Sequence, residues 1–365
     1  MAGYLYPNEL IEYILWQPVM FSYSFLISGA DLFILAMIGY ITKKLLKAVP
    51  FLTITAVSFF AVLLLGPLAD LHQPQRAYLI YSNPRLISTP SNPGFSFISL
   101  HAIIWLVTII LGIIFLLLFY AYPMRLRAES AGRLRPLYRA FSLGVKTKED
   151  YEKLRAPTVA VSCVLLVIST FWGVYPATLF VSQTWLIAWR EWSLMPIIFY
   201  ADTFVASTAV GIFVYYLMKG RKMEPEVIDP LLKIHTAGSI SVAGLLGLQI
   251  LLWNNRLETS LQGLSILLPL IYVVMILMAL SFLLSLASLK MRVLSLLVSI
   301  VALVGVATNK WNVIVNGQLI NRSGEVLSLQ LPAGWQLLAA SPLLAAIAIF
   351  VLLSFIFPLE VKEVG

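Results

Sequence analysis

The sequence predicts an all-α fold, that of a polytopic integral membrane protein with about nine transmembrane helices. Three observations carry the prediction. Hydrophobic residues make up 60% of the chain and charged residues 12%, with a mean hydropathy of +0.90, whereas a soluble domain carries roughly 25% charged residues. The apolar residues come in runs of about 20, the length at which a helix crosses ~30 Å of hydrocarbon. Basic residues gather in alternate loops, as the positive-inside rule requires of cytoplasmic loops.

The elements follow in order. Glu9 and Glu12 precede the first apolar run, and residues 9–18 read as an amphipathic lead-in. No basic stretch introduces a short apolar core there, so no cleavable signal peptide is expected. The runs cover 20–42, 51–71, 98–122, 157–182, 195–218, 236–254, 264–287, 291–308 and 337–358. The sixth carries several Gly and Ser, and the eighth is short. The ninth has no ionisable residue and reads as a peripheral scaffold helix.

The net charge is +8, and its placement argues against a nucleic-acid partner. Loop 123–156 holds nine Lys/Arg against four Asp/Glu, a net of +5. Loop 43–50 adds Lys43, Lys44 and Lys47, and loop 219–235 adds Lys219, Arg221, Lys222 and Lys233. These alternate loops share one side, which the rule makes the cytoplasmic one. A multi-pass protein of the cell membrane is expected, with its N-terminus outside and its C-terminus inside. Asp70 and the segment 72–97 then face outward.

Several chemistries find no residues to carry them. A single cysteine, Cys163, allows neither an internal disulfide nor a multi-cysteine iron–sulfur or zinc site. Haem b between helices usually takes two axial histidines; His72 and His101 could be neighbours near the outer face, but a loop residue and a helix end make a poor axial pair, and His235 stands at the inner edge of a span. Walker A, HExxH and GxSxG patterns are absent. A redox role would therefore draw its electrons from a partner.

The candidate site is the set of polar groups at the outer ends of the spans. Asp70 ends the second run in Gly66-Pro67-Leu68-Ala69-Asp70, and a proline-rich basic stretch follows it. His101 begins the third run. Asp202 lies about two turns into the fifth, Tyr175 about two turns below the outer end of the fourth, and Asp31 roughly three turns into the first. Asp70 and His101 also read as interfacial residues touching water, and Tyr175 as a packing aromatic. An unpaired carboxylate at the depth of Asp31 or Asp202 costs ~3 kcal/mol or more, which favours a function for those two. Arg190 and Glu191 read as a surface ion pair. An apolar slot with Tyr, His and Asp side chains supplies what a quinone needs, namely hydrogen-bond donors to its oxygens and a nearby acid or base.

Three stretches then resemble the NrfD-type, polysulfide-reductase membrane-subunit (PsrC-like) family. The first is Ala69-Asp70-Leu71-His72-Gln73-Pro74 with Asn83-Pro84-Arg85 after it. The second is Trp172-Gly173-Val174-Tyr175, and the third is Lys310-Trp311-Asn312-Val313-Ile314-Val315-Asn316-Gly317-Gln318. The family commonly has Gly-Arg where this chain has His72-Gln73, Arg where it has Lys310, and a Gly pair near Asp31.

The resemblance implies a core of two four-helix bundles and a quinone, of menaquinone type, as substrate. It implies no haem or iron–sulfur cluster in this chain. The partners it implies are a four-cluster, ferredoxin-like iron–sulfur subunit docked outside and a molybdopterin-type or other catalytic subunit beyond it. Asp70 would exchange protons and Tyr175 would hydrogen-bond a quinone oxygen, with His72, Asp31, His101 and Asp202 completing the polar site. Pro74, Arg76, Pro84 and Arg85 would belong to the roof facing the partner. The expected organisation is a lead-in (1–19), a first bundle with the outer cluster (20–218), a second bundle and outer loop (219–330), and a last helix with a short inner tail (331–365). A proton- or ion-coupled secondary transporter is the alternative reading, since transporters also bury Asp in their spans. A purely structural anchor is a third. Asn321-Arg322-Ser323 matches a glycosylation sequon on an outer loop.

Overall fold

A computed structural model describes residues 16–70, 77–84, 86, 87, 94, 96–130, 132–181, 186–254, 262–320, 326, 331 and 333–361. Their α-helices in chain order are α1 (Gln17–Ser24), α2 (Gly29–Thr42), α3 (Val49–Val62), α4 (Leu65–Asp70) and α5 (Leu79–Ser82). Next come α6 (Phe97–Ser130), α7 (Arg135–Phe141), α8 (Lys148–Lys153), α9 (Arg155–Val181) and α10 (Ile187–Glu191). The last five are α11 (Met195–Lys219), α12 (Pro225–Asn254), α13 (Leu268–Ser288), α14 (Ser295–Lys310) and α15 (Trp335–Ile356). Among the described residues no strand forms beyond an isolated bridge between Ile320 and Val326.

Nine segments of the described residues are long and apolar enough to cross a membrane, and each overlaps one of the nine apolar runs. The chain is an all-α, multi-pass membrane protein. Its spans leave large apolar side chains such as Val167, Ile276, Leu283 and Phe355 exposed, as surfaces solvated by lipid tails do.

Two spans run further than their hydropathy suggests. Gly220, at φ 57°, ends α11, and α12 starts at Pro225 rather than near 236. Proline suits the first turn of a helix because the N–H it lacks would have no partner there. Residues 225–235 are therefore helix, although Glu226, Asp229 and Lys233 give them the look of a loop. Further along the chain, α14 continues past Lys310 as a π-turn over Trp311–Asn316.

Two spans are interrupted. Between α1 and α2 lies a 3-10 turn, Leu26–Ser28, where the Ser24 hydroxyl donates to the Met20 carbonyl (2.8 Å) and the Ser28 hydroxyl to that of Phe25 (2.5 Å). Such side-chain bonds compete with the helical ladder. The second span breaks between α3 and α4, before Gly66. A Cβ on Gly66 would stand 2.6 Å from the Pro18 carbonyl oxygen, so glycine permits the close approach of α4 to α1.

The described residues form two compact units that interleave along the chain. The first lies within Met1–Ser28, Val62–Leu79 and Gly173–Ala345. Its centre is a ring of four helices in which α12 packs on α11 and α13, and α14 packs on α13 and α11. Chain order groups α11 with the spans before it; here it closes this ring. The second unit lies within Gly29–Ala61, Ile80–Trp172 and Ala346–Gly365. Aromatic contacts interlock its helices: Phe33 of α2 with Phe60 of α3, Tyr40 of α2 with Phe115 and Phe119 of α6, and Phe60 with Trp172 of α9. The end of α15 is tied to α6, where Tyr120 and Arg127 donate to the carbonyls of Pro358 and Ile356.

Candidate functional site

The site in the first unit starts from a buried ion pair. Asp202 on α11 and Lys310 on the last turn of α14 are both shielded from solvent, with Nζ 3.3 Å from Oδ2. Asn309 donates to the same carboxylate oxygen at 2.5 Å. The Lys310 ammonium also lies 3.2 Å from the centroid of the Phe199 ring, a cation–π contact that desolvation strengthens. The pairing accounts for a carboxylate at this depth. Asp202 Oδ1 and Asn309 Oδ1 are buried without a hydrogen-bond partner among the described residues, so two acceptors remain open to a hydrogen-bond donor.

An aromatic run connects this pair to Tyr175. Phe199 meets Phe180 (5.9 Å between centroids), Phe180 meets Tyr23 (6.0 Å), and Tyr23 meets Tyr175 edge-on (6.4 Å). The Tyr23 and Tyr175 hydroxyls share a hydrogen bond. Gly173 keeps the backbone beside Tyr175 open, since a Cβ there would run into the ring of Tyr200. Pro176 has no N–H to give the Trp172 carbonyl, which loosens α9 at this point.

The π-turn fixes the wall behind the run. Trp189 on α10 is buried, packs at a tilt on Phe180 with ring centroids 4.7 Å apart, and donates from Nε1 to the Val313 carbonyl at 2.7 Å. A Cβ on Gly317 would sit 2.7 Å from that same nitrogen, so the glycine is what lets the indole approach. Asn312 donates to the Leu267 carbonyl at 2.8 Å and Asn316 to Asn312 Oδ1 at 3.1 Å. Lys310–Gln318 is thus one structural device: a cation for Asp202, then a π-turn that anchors Trp189. Such single turns recur at functional sites.

Compared with known proteins, the chain is 41% identical over 364 residues to a subunit of tetrathionate reductase from Archaeoglobus fulgidus. The alignment covers 99% of this chain and 97% of that protein. The chain belongs to the family of that tetrathionate reductase subunit. No family model matches it.

The other candidate residues of this family member fall as follows. Asp31 and His101 belong to the second unit, not to the one that holds Tyr175 and Asp202. Asp31, beside Gly29 on α2, is fully buried, and neither carboxylate oxygen has a hydrogen-bond partner among the described residues. His101 is buried too, so it is not the interfacial residue that its place at a helix end suggests. It stacks at 5.2 Å on Phe171, bonds through Nδ1 to the Phe97 carbonyl, and meets Trp172 edge-on. Asp70 closes α4, but its side chain lies outside the described residues, as do His72, Pro74, Arg76, Arg85 and the sequon. Pro84 is exposed just after α5. Arg190 and Glu191 form the expected ion pair at 2.8 Å, with Arg190 half-exposed.

Sequence reasoning passes over two elements. Lys310 reads there only as part of a motif; its signal is a lone cation at the end of an apolar run. His235 reads as the inner edge of a span. Because α12 starts at Pro225, it lies about three turns inside, with Nδ1 2.8 Å from the Thr208 hydroxyl and Nε2 2.8 Å from that of Ser281. Both ring nitrogens are satisfied, as a buried imidazole requires. Among the described residues no three His, Cys, Asp or Glu side chains are grouped to hold a metal ion.

Proposed function

We propose that this chain is the quinone- and quinol-reactive membrane subunit of a respiratory oxidoreductase complex, of the NrfD type, exchanging electrons between the quinone pool and an external iron–sulfur subunit. The observation that carries the reading is the likeness, over 99% of the chain, to a protein named as a subunit of tetrathionate reductase. Cleaving tetrathionate into two thiosulfates consumes two electrons, and oxidation of a quinol releases two electrons and two protons. The stoichiometries match, so a sulfur oxyanion is the substrate class proposed for the complex.

The residues fit the substrate. A quinone oxygen needs a donor, and the Tyr175 hydroxyl beside Tyr23 provides one. A quinol needs an acceptor, and Asp202 Oδ1 is free to serve. Lys310 holds Asp202 in place and balances its charge. Asp70, His72, Asp31 and His101 are the further proton-handling groups of this reading. The four-cluster subunit would dock outside, on the segment with Pro74, Arg76, Pro84 and Arg85, and a molybdopterin-type catalytic subunit would lie beyond it. The N-terminus would be outside the cell membrane and the C-terminus inside.

The test uses the isolated complex. Tyr175→Phe and Asp70→Asn should each lower quinol-coupled turnover on the order of 100-fold, the usual scale for a lost proton-transfer group. Activity with an artificial donor that reduces the iron–sulfur subunit directly should be unchanged. Wild-type quinol kinetics in both variants would reject the reading. Purification of the chain alone, with solute uptake in vesicles, would select the transporter instead.

A further inference from the structure

We propose that a cleft in the second unit, at the end where α2 stops and α9 starts, binds the phosphate group of an anionic membrane lipid. The cleft has a volume of about 120 Å³ and draws its lining from the end of α2, the turn after it, α8 and the first turns of α9. Three cations line it, Lys43, Lys148 and Arg155, against the single carboxylate of Glu152. None of the three cations takes part in an ion pair among the described residues. The fold has thus concentrated an excess of positive charge in a concavity.

The walls are set in advance. The Tyr151 hydroxyl donates to the Phe119 carbonyl at 2.9 Å, and Tyr40 is hydrogen-bonded to Thr158 while its ring packs on Phe115 and Phe119. Lys43 has φ 60°, a left-handed conformation that a lysine adopts only where its surroundings impose it. That turn is what carries the chain off α2 and along the rim of the cleft. The capping box of Thr147 and Asp150 fixes the start of α8, and with it Lys148. With both phenols already bonded within the protein, the three cations are the groups left to receive the tetrahedral oxygens of a phosphate.

The flanks of the cleft point to a lipid as the source of that phosphate. On α2, Ile41, which lines the cleft, and Ile38 one turn before it are 39% and 42% exposed. An apolar surface therefore continues from the cleft along α2, as an acyl chain beneath a headgroup requires. Basic pockets where transmembrane helices meet cytoplasmic loops are the places where anionic headgroups bind.

The full chain, with the subunits that purify with it, would be exchanged into phosphatidylglycerol or phosphatidylcholine and examined by native mass spectrometry for retained lipid. Wild type should retain phosphatidylglycerol over phosphatidylcholine. Lys43→Gln, Lys148→Gln and Arg155→Gln should each lower that retention roughly fivefold, the equivalent of about 1 kcal/mol per basic side chain at an anionic surface. Glu152→Gln removes the repelling carboxylate and should raise retention by a similar factor, which keeps the test decisive if a cation variant folds poorly. Equal retention of the two lipids, or retention unmoved by both Arg155→Gln and Glu152→Gln, would overturn the proposal. Displacement of phosphatidylglycerol by millimolar inorganic phosphate would overturn the lipid as the source.

Discussion

A carboxylate buried in a helix bundle needs compensation, and Asp202 finds it in Lys310 and Asn309. Breaking such a pair from one side strands the other charge, at a cost of about 3–5 kcal/mol, whereas removing both charges is often close to neutral. Lys310→Met should therefore lower the apparent melting temperature of the detergent-solubilised protein by several degrees. The double variant Asp202→Asn with Lys310→Met should recover most of that loss, and a double variant no more stable than the single one would refute the pairing. Asp31 is the opposite case. Nothing among the described residues bonds its carboxylate, so the fold does not depend on it. Asp31→Asn exchanges one unpartnered buried polar group for another and removes a carboxylate, so it is expected not to lower the apparent melting temperature. If Asp31 serves the quinol site as proposed, the same variant lowers quinol-coupled turnover, and the two readouts separate.

At the scale of the element, the breaks within spans are set by where small residues allow close approach. Gly66 lies against the backbone of α1 at Pro18. Gly66→Ala would force α4 away from α1, and overpacking of this kind costs about 1–3 kcal/mol. The expected outcome is a lower melting temperature together with faster proteolysis of the segment after α4. Gly317→Ala should act differently. It would push Trp189 off the Val313 carbonyl, a change that indole fluorescence reports directly. An emission spectrum identical to that of wild type would show that Trp189 does not depend on that glycine.

At the scale of the whole molecule, the number of spans and their places were legible in the sequence because a bilayer sets one length and one composition for every crossing. The start of α12 was not legible. Glu226, Asp229 and Lys233 look like loop residues in one dimension, yet on a helix they fill its first turns. The candidate site was legible only in part: Asp202 and Tyr175 stood out as polar groups in apolar runs, while the partners that define their chemistry, Lys310 and Tyr23, are distant in sequence. The proposed orientation makes its own prediction. A periplasmically active reporter fused after residue 254 should be active, and a cytoplasmically active one fused after residue 222 or at the C-terminus should be active. The reverse pattern would invert every assignment of inner and outer face.

The sequence alone determined that this chain crosses a membrane repeatedly as helices, because apolar run length and loop charge are local properties that the bilayer reads directly. Only the tertiary structure decided which buried groups meet. The ion pair of Asp202 and Lys310, the tyrosine pair of Tyr23 and Tyr175, and the satisfied His235 all join residues from different helices. Hydropathy is nearly uniform around such helices, so packing rather than pattern chooses the faces that come together.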